Sequence, residues 1–145
     1  MAIDQEILSG FKDESNQLLK ELGAIIEKFE ESGTNVTPEL ASEFALKIDR
    51  IMGASKTLAV MEPTHQGFPR IGKLSEICKT IGYKTAEKKD PALTPFFTAF
   101  LADTVEVIEK LIGNIDNAEE TAKIVQSFTP VLEKRLQWLA AHLKK

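Results

Sequence analysis

The sequence predicts an all-α fold, an antiparallel helical bundle forming a single domain. Three observations carry that prediction. Apolar residues recur at intervals of three, four or seven along most of the chain, and prolines, glycines and capping residues cluster between those runs. No stretch alternates apolar with polar residues as a half-buried strand would. At 145 residues the chain can bury roughly 70% of its unfolded surface, enough for a core that needs neither metal nor disulfide.

The first helix is predicted from Ile3 to Glu31, with Ile3, Ile7, Phe11, Leu18, Leu22, Ile25 and Phe29 on its inward face. Gly33 to Val36 ends it. Thr37-Pro38 then offers a capping hydroxyl followed by a proline at the first helical position, where a missing N–H costs nothing. The second helix runs to Ala59 or Met61 on the stripe Leu40, Phe44, Ile48, Ile51, Ser55 and Leu58. Pro63, Gly67 and Pro69 read as a loop, because proline lacks a donor and disfavours helix in the residue before it. A third helix rests on Ile71, Leu74, Cys78 and Ile81, and Asp90-Pro91 caps and restarts the chain. The fourth helix is the most apolar, with Phe97, Phe100, Leu101, Val105, Ile108, Leu111 and Ile112, and Gly113 to Asp116 closes it. Asn117 and Glu120 form a capping box that opens a fifth helix, built on Ile124, Val125, Phe128, Leu132, Leu136, Leu139 and Leu143; Thr129-Pro130 is expected to kink or restart it.

Composition narrows the function classes. Hydrophobic residues make up 43% and charged residues 28%, a globular mixture. The lone Cys78 allows no intrachain disulfide and no cysteine cluster for zinc, which suits a reducing cytoplasm, and on its apolar stripe it reads as core. No apolar run reaches the roughly 20 residues of a membrane span, and the first six residues carry no Lys or Arg of an export signal, so a cytoplasmic location is expected. The formal charge is −4, yet Arg70, Lys73, Lys79, Lys84, Lys88 and Lys89 face only Glu76 and Glu87 between residues 70 and 89. Such a segment either steers an acidic partner or forms a solvated helix face. Trp138 and Tyr83 lack the stacking series of a nucleic-acid channel, and phosphate-loop, zinc and nucleophilic-triad motifs are absent.

The second helix holds the candidate site. At 100° per residue, Asp49 and Gly53 fall nearly opposite the inward Ile51, flanked by Ser42, Ala45, Leu46, Lys56 and Val60. An exposed glycine inside a helix costs about 1 kcal/mol relative to alanine, so Gly53 calls for a reason. Close approach by a partner is one, and Leu46 and Val60 would add apolar area beside it. The other is internal: Gly53 admits a neighbouring helix, with Leu46 and Val60 covered by the fifth.

With these residues in place the chain resembles a histidine phosphotransfer (HPt) domain of the chemotaxis-kinase type. Phe11, Glu14, Leu18, Leu19 and Leu22 reproduce the pattern of that family's opening helix, and Ala45, Gly53 and Leu58 fit the frame of its second. The family's phosphoaccepting histidine is replaced by Asp49, and the lysine three residues on by Met52. The resemblance covers about residues 5–112. It implies a four-helix HPt-like core over about 3–113, with an additional C-terminal helix over about 117–144. As partner it implies a response-regulator receiver domain or a histidine-kinase component, bound through Ala45, Leu46, Asp49, Met52, Gly53, Lys56 and Val60. It does not carry phosphotransfer across, since both residues of that chemistry are missing.

The remaining chemistry is sparse. Asp49 is either a surface charge or a permanent negative charge where the family carries a transient phosphate, though one carboxylate has about half a phosphate's charge. Its neighbours along the helix supply no acidic cluster for a metal. His65 lies in a loop and His142 at a helix end with Lys145 three residues on, a position where a basic group complements the macrodipole. Asp13 with Gln17, and Glu133 with Gln137, each set an acid and an amide one turn apart, resembling the pair by which the helical chemotaxis phosphatase attacks an acyl phosphate. The expectation is therefore a non-enzymatic binding module without cofactor or metal, with no nucleic-acid or membrane partner and a possible homodimer. The alternatives are a response-regulator phosphatase and a plain dimerisation bundle.

Overall fold

The computed structural model describes residues 4–32, 37–88 and 94–143. Five helices follow in order: α1 Gln5–Ser32, α2 Pro38–Met61, α3 Gly67–Lys88, α4 Thr94–Gly113 and α5 Ala118–Leu143. The protein is an all-α bundle, with no strand among the described residues. Ile3, the helix end expected at 33–36 and the cap expected at 90–91 lie outside them.

The helix starts use the predicted chemistry. Thr37 Oγ1 accepts from the Leu40 N–H at 3.1 Å with Pro38 behind it, and Asn117 Oδ1 accepts from the Glu120 N–H at 3.0 Å. Asp4 caps α1 in the same way, accepting from the Glu6 N–H at 2.7 Å. Two expectations need correction. Pro69 is not in a loop, because α3 begins at Gly67 and the proline occupies its first turn, where no intrahelical donor is needed. Of the kink or restart expected at Thr129-Pro130, the restart does not occur: α5 runs through the proline, which sits on the exposed side, where the carbonyl its ring leaves unpaired can be hydrated.

The packing order is a closed square. Each of α1 and α3 lies against both α2 and α4, while the backbones of the diagonal pairs α1/α3 and α2/α4 do not approach closely. Phe11 and Phe68 meet edge to face at 5.7 Å between centroids, and Phe29 and Phe44 at 5.8 Å, tying α1 to α3 and α2 through the centre. On α1 the buried residue is Leu8, whereas Ile7 is 46% exposed; both fit the helical period counted back from Phe11. The closest seam is α2/α3, made possible by small residues of α3: a Cβ on Gly72 would stand 3.1 Å from Lys56 Cγ. The fifth helix packs on α4 and α3 and makes no close backbone approach to α1 or α2 among the described residues.

Candidate functional site: the outer face of α2

Leu46, Gly53 and Val60 follow at seven-residue steps and so line up along one side of α2. Leu46 is 67% exposed and Val60 80% exposed. An added Cβ on Gly53 would meet nothing within 4 Å, so the glycine makes room for no other part of the bundle. Of the two readings of this face, internal packing is thereby removed: α5 does not approach α2 and covers neither Leu46 nor Val60.

The remaining residues divide. Ala45 is buried, since it is turned a quarter of the circumference from Leu46 toward the interior; its expected place on the docking face is corrected accordingly. Met52 is half-buried, and Lys56 is exposed with its Nζ 3.6 Å from Glu76 Oε2 of α3. Asp49 is half-buried and bonded across the seam, Oδ1 accepting from Lys79 Nζ at 2.8 Å. That hydrogen bond raises the Lys79 pKa above its ordinary value, against a smaller desolvation effect that lowers it. The carboxylate is thus neutralised by a fixed cation.

Lys79 and Glu76 are therefore parts of the site, with Tyr83, 44% exposed, one turn beyond on α3. The sequence offered Lys79 only as one member of a basic segment. Within that segment Lys73 and Lys84 are exposed, whereas Lys79 and Asp49 compensate each other. The face is consequently mixed in sign around an apolar line.

Among the described residues, His65 and Cys78 are both engaged away from this face. His65 joins the α2–α3 connection to the turn before α5: its Nε2 lies 2.7 Å from the Ile115 carbonyl oxygen, and its Nδ1 accepts from the Gly67 N–H at 3.0 Å. The two contacts together require the neutral ring with its proton on Nε2, which donates to Ile115. The imidazole also stacks on Phe68 at 4.2 Å, so it clamps the α2–α3 connection to the turn before α5. Cys78 is fully buried, and burial pushes its thiol up to about 12 against the opposing effect of Thr104. The side chains of His142 and Glu133 lie outside the described residues, as does Lys145. Asp13 and Gln17 are both exposed on α1, and Gln137 is exposed on α5. Among the described residues no group of three or more metal-binding side chains forms, and no helix is long and apolar enough to cross a membrane. No family model, curated protein or solved structure matches this chain.

Proposed function

We propose that this protein is a non-catalytic, HPt-like signalling module that docks a response-regulator receiver domain or a histidine-kinase component on the outer face of α2. The observation that carries the reading is the uncovered line of Leu46, Gly53 and Val60, where a glycine with open space above it lets a partner's backbone approach. Asp49 at the edge of that line is tied to Lys79, and no group of three metal-binding side chains forms there among the described residues; in this reading the face binds without accepting a phosphoryl group. The neutralised carboxylate also argues against a phosphate mimic, whose effect depends on uncompensated charge.

The test mixes the protein with receiver domains and kinase fragments from the same genome and measures binding by titration calorimetry. Gly53→Arg should abolish binding while leaving helical circular dichroism unchanged, and the wild type should take no label from a phosphorylated partner. Global unfolding by this substitution, or labelling of the wild type, would sink the proposal. A second reading rests on Asp13 and Gln17, exposed together one turn apart on α1. It expects the same mixture to lose its receiver phosphate faster, with the acceleration removed by Gln17→Ala.

A further inference from the structure

The fifth helix carries more apolar surface than its packing uses. Ile124, Leu132 and Leu139 are buried, while Val131 remains 48% and Trp138 43% exposed. With Phe128 and Arg135 these two make the series 128, 131, 135, 138, whose three-four-three spacing is that of a coiled-coil seam. On α4, Phe96, Asp103 and Lys110 stand seven residues apart on one line, and Phe96 is 55% exposed. Between the two helices lie two clefts of about 390 and 310 Å³, both bordered by Asp103 and Arg135. They are stations along one groove of about 21 Å, taking the 14 residues from 96 to 110 at the helical rise. That length suits a helical surface better than a small molecule.

The contacts across the groove identify the occupant. Phe96 meets Trp138 at 5.1 Å between ring centroids, Arg135 pairs with Asp103, and Lys110 Nζ stands 4.7 Å over the Phe128 ring. Each pair joins a residue of α4 to one of α5 across the groove. A two-fold axis running along the groove would lay α4 of one copy over α5 of the other, heights preserved. All three pairings could then recur between copies: aromatic on aromatic, acid on guanidinium, ammonium on ring. At the centre, two Asp103 and two Arg135 would alternate in sign around a ring, so the groove is complementary in charge to itself.

We propose that the α4/α5 groove is a homodimer interface, occupied by the same groove of a second copy to give an intermolecular four-helix bundle. This interface is separate from the α2 face, and its test reads mass with no signalling partner present. Sedimentation equilibrium over a concentration series should give a dimer for the full chain. Val131→Glu, at an exposed position, should leave helical circular dichroism unchanged. It should also raise the dimer dissociation constant on the order of thirtyfold, the usual effect of a hot-spot loss. Arg135→Asp and Asp103→Arg should each give monomers, because each surrounds the axis with four like charges. Mixing those two variants should restore a dimer containing one copy of each, since every cross-copy contact is again acid to guanidinium. A wild type that stays monomeric at every concentration would overturn the proposal, as would a dimer indifferent to Val131→Glu. Failure of the two variants to pair on mixing would overturn it as well.

Discussion

Replacing His65 by phenylalanine would keep a flat ring over Phe68 but remove both nitrogen contacts, leaving the Ile115 carbonyl and the Gly67 N–H in a partly buried place without their partner. The expected loss is about 1–3 kcal/mol, read as a lower urea midpoint. Lys79 behaves differently, because it is a surface group whose effect depends on pH. Its pKa is raised by Asp49, so the pair's contribution to stability is fully present below the ordinary lysine value of 10.5 and is lost as pH rises through the higher folded value. Lys79→Met should therefore narrow the stability gap to wild type only in that alkaline window, a trend that urea titrations at stepped pH would reveal or refute. This pair also marks the limit of what the sequence discloses about the site. Leu46, Gly53 and Val60 were legible because one helix and one period place them. The partner of Asp49 was not, since Lys79 is 30 residues away on another helix and only packing brings it there.

Helix starts were legible for a similar reason: a cap is a bond between residues two or three apart, so Thr37 and Asn117 announce their helices locally. Pro69 misled as a loop, and Pro130 as a restart, because proline states only that a donor is absent. It does not state whether that position needed one. In the first turn of α3 it did not, and on the outer side of α5 water can take the donor's place. Pro130→Ala should return a hydrogen bond to the Gln126 carbonyl and stabilise α5 by about 1–3 kcal/mol, seen as a higher thermal midpoint. A lower midpoint would mean that the proline shapes the helix for its packing on α4. Ile7 and Leu8 illustrate a finer ambiguity. Residues three and four back from Phe11 both fit a period of 3.6, and the phase of the whole stripe, Leu8, Phe11, Leu18, Leu22, Ile25 and Phe29, selects the first.

At the scale of the molecule, the square of α1 to α4 sets α2 and α4 on opposite corners, and α5 attaches along the α4 and α3 side, without close backbone approach to α2. Gly53 opens onto empty space and Val131 lies on a helix that does not approach α2, so the effects of Gly53→Arg and Val131→Glu on stability should add within about 0.5 kcal/mol in a double-mutant cycle. Larger coupling would show that the bundle transmits strain between its corners. The same opposition has a kinetic meaning. A dimer joined through α4 and α5 turns its two α2 faces outward and away from each other, so each copy binds one partner molecule without helping or hindering the other. Against partners that are free in solution, dimerisation then changes nothing but stoichiometry. Against partners held in clusters, the second face rebinds before the first has left, and residence time lengthens although neither contact has grown stronger. The diagonal of the square would make α5 a device for staying rather than for binding.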